Sequence, residues 1–329
     1  MTGMTKRERV LAAVHGQQPD RVPVAFWRHW PGDDQTAEGL ANAIVAWHTM
    51  YDFDLIKVTP TSGYAVEDWG ARFVYKGNRE GTREYVERPV KSTRDWEKLW
   101  PLDVRRGILG RELEALRLIR SKVGPDVFIL ETVFSPLSIA RNLAGEDLWL
   151  GHLREHPQQL RQGLAIIADT YARFSQEALR SGADGIFFAT QCASYDILSE
   201  NEYEEFGIPY DRHVLGAAAD MGSLILLHIH GLNIMFDLLV HSYPVHIVNW
   251  HDRRTLPSLA DARVRTRVAL MGGINEWQTL ADGTPDQVVS EVRDALAQTG
   301  GRGYLVGAGC VVAIDTPEEN LRAAIAAIR

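Results

Sequence analysis

Residues 185–229 read GIFFATQCASYDILSENEYEEFGIPYDRHVLGAAADMGSLILLHI. Two apolar runs, 185–190 and 224–229, are rich in β-branched and aromatic residues, and neither alternates cleanly with polar ones. Strands covered on both faces have this character. Between them, residues 202–221 carry helically spaced apolar positions. Strand, helix and strand in that order make one parallel β–α–β unit, because parallel strands need a crossover. Working outward, the same order recurs. Further strand candidates are 22–27 (VPVAFW), 55–59 (LIKVT), 127–133 (VFILETV), 245–248 (VHIV), 268–271 (VALM) and 303–306 (GYLV). Helical patterns lie at 39–51, 107–122, 157–181, 285–299 and 317–328. Thr284-Pro285 and Thr316-Pro317 each put a capping residue ahead of a proline at the first helical position. Eight strands alternating with helices predict a (β/α)8 TIM barrel of one domain over residues 1–329, with its active-site mouth at the C-terminal strand ends. Residues 60–106 are too long for a simple connection and hold two β-like pieces, ARFVY and REYVERPV. They predict an excursion over that mouth.

The composition excludes several function classes. The 35 basic and 43 acidic residues give a formal net charge of −8, which is no electrostatic footprint for nucleic acid. Cys192 and Cys310 are the only cysteines, too few for a disulfide framework or a four-cysteine zinc site. The opening MTGMTKRERV has no apolar stretch after its charges, so no secretory signal is expected. Apolar runs such as SLILLHI fall far short of the ~20 residues that span a bilayer. The expectation is a cytoplasmic protein with no membrane partner.

The richest chemistry lies at two strand ends, LLHIHG at 226–231 and GAGCV at 307–311. His228 and His230 are two apart, so on an extended segment they share a face. Cys310 follows the last strand, and barrel closure brings it to the same mouth. Two imidazoles and a thiolate suit Zn²⁺ and leave one tetrahedral position for a substrate atom. The plainer reading is a satisfied core histidine and a small buried cysteine. The sixth strand ends in VHIVNWHD. There Asn249 or His251 could fix the tautomer of a ligating histidine, with His251 also a candidate for proton transfer. Arg28, after the first strand, suits a bidentate grip on an anionic substrate, and Trp30 and Trp250 could wall an apolar pocket. Tyr64 is a candidate for acid–base work, and Glu131 for a metal ligand or an inward anchor that must be paired if buried. Lys57 is the only lysine placed for a Schiff base. Neither a P-loop nor a G-x-G-x-x-G frame occurs.

Several blocks, in order, resemble the uroporphyrinogen decarboxylase superfamily, which also contains cobalamin-associated methyltransferases. They are RERVLAAVHGQQPDRVPV at 7–24, DFDLIKVTPTSGYAVEDWGA at 52–71, SPLSIARNLAGEDLW at 135–149, LRSGADGIFF at 179–188, LLHIHG, and PEENLRAAIAAI at 317–328. The resemblance implies the barrel and two branches of chemistry. The decarboxylases carry an RQAGR block after the first strand and an aspartate after the second; here FWRHWPGD leaves only Arg28, and Thr59 stands near the aspartate's place. The zinc methyltransferases carry a His-x-Cys pair and a late cysteine; His228 and Cys310 match, with His230 replacing the first cysteine. On that branch, His228, His230 and Cys310 hold Zn²⁺ and a methyl group passes between a corrinoid and a small thiol. The corrinoid is free methylcobalamin or sits on a partner protein. The alternatives are a decarboxylase or other lyase, with Arg28 on the carboxylate and Tyr64 or His251 handling a proton, and a non-catalytic binding protein. Trp30, Glu131, Asn249 and Trp250 are the remaining substrate-site candidates. The oligomeric state is left open, a homodimer included.

Overall fold

The computed structural model describes residues 3–328. Its strands are β1 (Leu55–Lys57), β2 (Arg72–Val74), β3 (Glu84–Glu87), β4 (Phe128–Phe134), β5 (Gly185–Thr190), β6 (Leu224–Ile229), β7 (Ile247–Trp250), β8 (Ala269–Ile274) and β9 (Tyr304–Ala308). Seven of them form one parallel sheet in the order β1-β4-β5-β6-β7-β8-β9, and β2 pairs with β3 in a separate antiparallel hairpin. The sheet curls, its strands are buried from end to end apart from Phe134, and helices cover its outer face.

The closed eight-stranded TIM barrel expected from the sequence does not form, because the sheet stays open between β9 and β1. Residues 22–27, the expected first strand, lie in that gap with one isolated bridge, Val24 to Val306. The local chemistry explains why. Pro23 has no N–H to give a ladder. The Val24 N–H is taken by the Asp54 carboxylate at 2.9 Å rather than by a β1 carbonyl. Asp54 is fully buried and held in turn by Arg9 and Arg21, both at 2.6 Å. A side-chain network stands where an eighth ladder would run.

Two helical expectations also shift. The pattern over 202–221 divides into Glu200–Phe206 and Ile208–Ala219, since Pro209 cannot continue a helix through its own position and begins the second one instead. Thr284 closes a capping box with Gln287 as expected. By contrast, the last helix begins at Glu318 with Pro317 as its cap residue, and the Thr316 hydroxyl has no partner. The 60–106 segment carries the β2–β3 hairpin and a 3-10 turn, Thr93–Lys98. Arg79 pairs with Asp282 and Asp315, and Arg83 with Asp34, which ties the segment to the loops at the C-terminal strand ends.

Candidate metal centre

The parallel register between β6 and β7 sets His228 beside Asn249. Side chains two apart share a face, so continuing both strands by two residues sets His230 beside His251. The rings of that second pair are 5.0 Å apart. Cys310, two residues beyond β9, completes the group. One donor atom from each of His228, His230, His251 and Cys310 lies within 4.8 Å of every other.

Hydrogen bonds orient each donor. The Asn249 amide nitrogen donates to the carbonyls of Met271 and Ala308, both at 3.0 Å. Its oxygen therefore faces His228 Nδ1, at 2.7 Å, and accepts a hydrogen bond from the Nδ1–H. That leaves the lone pair of His228 on Nε2, which lies 3.6 Å from Cys310 Sγ. Glu276 does the same for His251: Nδ1 sits 2.8 Å from the carboxylate, so Nε2 is free, 3.3 Å from His230 Nδ1. His230 Nδ1 is 3.8 Å from Cys310 Sγ. Around one tetrahedral Zn²⁺, bonds of ~2.0–2.3 Å put neighbouring donors roughly 3.3 Å (N to N) and 3.6 Å (N to S) apart. His228, His230 and Cys310 fit such an ion with two nitrogens and one sulfur of borderline softness, and His251 Nε2 stands beside the remaining position.

Backbone shape makes the approach possible. A Cβ on Gly309 would lie 2.8 Å from His251 Cα and 2.9 Å from Glu276 Oε2, so the loop after β9 reaches the cluster only with glycine there. Burial favours the neutral imidazole at His228 and His230. Burial, then the charges of His230 and His251, holds His228 well below its ordinary range. Burial and His251 push His230 down to about 4. Burial pushes the Cys310 thiol up to about 12, so ligation has to displace its proton. Burial raises Glu276, but the hydrogen bonds from His251 and Arg254 outweigh it and hold the carboxylate below its usual range.

The cluster forms one wall of a cavity of about 170 Å³, whose lining also includes Trp27, His29, Lys57, Thr59, Phe187 and Glu80. Asn249 and His251 join the predicted trio directly. The other candidates stand elsewhere. Arg28 donates to the Ile314 carbonyl at 2.6 Å and lies over Trp30 and Trp47, while its neighbour His29 faces the cavity. Trp30 packs there with Arg28. Tyr64 is buried and donates to the Thr132 carbonyl. Glu131 is fully buried with neither oxygen hydrogen-bonded, and burial holds its pKa well above the ordinary value. Trp250 is buried against Phe236, its indole N–H on the Pro257 carbonyl. Sequence reasoning missed Glu276, which lies in NEW just after β8; only the distance to His251 singles it out.

The uroporphyrinogen decarboxylase (URO-D) family profile matches residues 5–329. A methylcobamide:CoM methyltransferase, MtbA of Methanosarcina acetivorans, is 26% identical over 340 residues, 98% of this chain and 97% of that protein. A uroporphyrinogen decarboxylase of Microcystis aeruginosa is 22% identical over 246 residues, 72% of this chain and 68% of that protein. Among solved structures, a methyltransferase from Methanosarcina mazei shares the fold, with a TM-score of 0.87 at 24% identity over 98% of both chains. The chain belongs to the uroporphyrinogen decarboxylase family, on the side of its methylcobamide:CoM methyltransferases rather than of its decarboxylases.

Proposed function

We propose that this protein is a metal-dependent methyltransferase that moves a methyl group between a corrinoid and a small thiol. The observation that carries the reading is the convergence of His228, His230 and Cys310 with oriented lone pairs at one cavity wall. These three residues would hold a zinc ion. Such an ion, when bound, supplies Lewis acidity that keeps a thiol sulfur deprotonated and nucleophilic near neutral pH. The rest falls to the chain. His251 Nε2 faces the cluster while Glu276 fixes its tautomer and balances the charge it gains, so His251 accepts the proton that an entering thiol must lose. Phe187 stacks on His228 and, with Trp27, makes an apolar wall that restricts water around the sulfur. Asn249 keeps His228 from turning.

The methyl donor is methylcobalamin, free or carried on a partner protein at the C-terminal strand ends. The metal-free decarboxylase alternative is disfavoured by the placement of Arg28, which faces a backbone carbonyl and two tryptophans rather than the cavity.

The test pairs metal analysis with a methyl-transfer assay. Purified protein should contain about one zinc per chain and demethylate methylcobalamin in the presence of a small thiol. Cys310→Ala should lose both metal and transfer, while Arg28→Ala keeps full occupancy. Full zinc content in Cys310→Ala would overturn the ligand assignment. Failure of the zinc-replete protein to demethylate methylcobalamin with any thiol would overturn the reaction.

A further inference from the structure

Residues 75–83, between β2 and β3, carry Glu80 and Thr82 into the lining of the cavity alongside His29 and Cys310. The tip is folded on itself. The Asn78 amide nitrogen donates to the Thr82 carbonyl at 2.7 Å, and its oxygen accepts from the Thr82 N–H at 3.1 Å. The Tyr75 hydroxyl donates to the Asn78 carbonyl at 3.1 Å. Gly77 and Gly81 flank its centre at φ of +84° and +79°, a region that glycine enters without steric cost.

Two kinds of anchor hold this segment. At the root, Arg83 grips Asp34 through bonds of 2.6 and 2.8 Å and donates to the Pro31 carbonyl at 3.0 Å. That pair is buried, with side chains 6% and 0% exposed. At the tip, Arg79 fastens a segment that leaves the β1 edge of the open sheet to the loops on its other edge. It donates to Asp282, after β8, at 2.8 Å and to Asp315, after β9, at 2.7 Å. These three side chains are 45%, 56% and 52% exposed. The guanidinium lies 5.8 Å from the centre of the Trp277 ring, and the Arg79 carbonyl accepts from the Ile314 N–H at 2.8 Å. Exposed ion pairs are worth little and are screened by salt, whereas breaking a buried pair is costly. The root is fixed and the tip only lightly fastened.

We propose that residues 75–83 form a strap over the metal cavity, with Arg79 as its clasp. The strap lifts at the tip to admit a small molecule to Cys310 and the histidines, then refastens across the open edge of the sheet. The clasp closes on Ile314 and Asp315, in the same loop that carries Cys310. Lifting withdraws Glu80 and Thr82 from the lining, and closing restricts water there. The motion is independent of the metal and of the acceptor's identity.

Iodoacetamide, a small neutral reagent, is added to the full chain freed of metal by a chelator, and alkylation of Cys310 is followed by peptide mass. Arg79→Gln should react at Cys310 about threefold to tenfold faster than wild type at low salt, the worth of two exposed ion pairs. Salt at about 1 M should close that difference by quickening wild type. Gly81→Ala should act alike without touching a charge, since its Cβ would lie 2.7 Å from the His29 Cβ and the tip could not seat. Arg105→Gln, which removes an exposed pair with Glu177 outside the cavity lining, should leave the rate as in wild type. In protein as purified, the Ile314 amide should exchange faster in both strap variants. Equal Cys310 rates in wild type and Arg79→Gln overturn the proposal. So does acceleration at Cys310 and the fully buried Cys192 together, which marks a general loosening. Faster alkylation with unaltered exchange at Ile314 also overturns it, since the clasp would have stayed shut.

Discussion

Asn249 does more for the cluster than its type suggests. Its amide spends both donors on the Met271 and Ala308 carbonyls and its one oxygen on His228, so it orients a histidine and ties β7 to β8 and to the end of β9 at once. Replacing such a partner of a ligating histidine costs roughly 10–100-fold in metal affinity. Asn249→Leu should lose that much in a competition titration against a chromophoric chelator, and should also melt lower because two buried carbonyls lose their donors. A variant that melts lower but holds metal at wild-type strength would confine Asn249 to a structural part.

At the scale of elements, the loop after β9 and the helix Ile208–Ala219 make separate tests. Gly309→Ala forces a methyl group against His251 and Glu276. The loop has to retreat, at a cost of about 1–3 kcal/mol, and takes Cys310 with it. Metal affinity should fall although no ligand has been changed; unaltered affinity would mean the loop can shift without moving Cys310. The helix carries Asp211, fully buried, with the Tyr203 and Tyr243 hydroxyls donating to one oxygen and no partner on the other. Burial raises it from its ordinary 3.8 to about 7, against the two hydroxyls, which lower it. The folded state thus favours the protonated acid. That contribution is full below about pH 3.8 and is lost as pH rises through about 7. Asp211→Asn has no such dependence. Urea unfolding at pH 5 and pH 7 should show the variant gaining on wild type by upwards of about 1.4 kcal/mol, the equivalent of one pKa unit. No gain would place an ionised Asp211 in the folded protein.

Over the whole molecule, the proposed ligands come from the end of β6 and from beyond β9 of an open, curled sheet, with the end of β7 packed against them through Asn249 and His251. A bound cation therefore ties together elements that no ladder closes into a ring. A ligand at a thousandfold excess over its Kd stabilises the folded state by about 4 kcal/mol. Chelation should lower the melting temperature and speed amide exchange at Ile229–His230, Trp250–His251 and Cys310, while the β1–β4 pairing is unaffected. Uniform protection with and without metal would show that the sheet holds this end by itself. Among the described residues no helix is long and apolar enough to cross a membrane.

The strand and helix order was legible because it rests on local periodicity. The runs GIFFAT and LILLHI are strands wherever they sit, and they appear where expected, at β5 and β6. The His228–His230 pairing was legible for the same reason, since period two is a property of one extended segment. The closure of the barrel was not. It depended on residues 22–27 forming a ladder, and a proline without an N–H and the Asp54 carboxylate, 30 residues away from Val24, decided otherwise. Arg28 and His29 are adjacent, and nothing local says which of them faces the cavity. Sequence by itself determined the family, the order of the seven sheet strands and the identity of the two histidines and Cys310. Tertiary structure alone brought in His251 with its Glu276 and set Lys57 in the cavity beside them, because contacts across neighbouring strands depend on register and curl, which no single segment encodes.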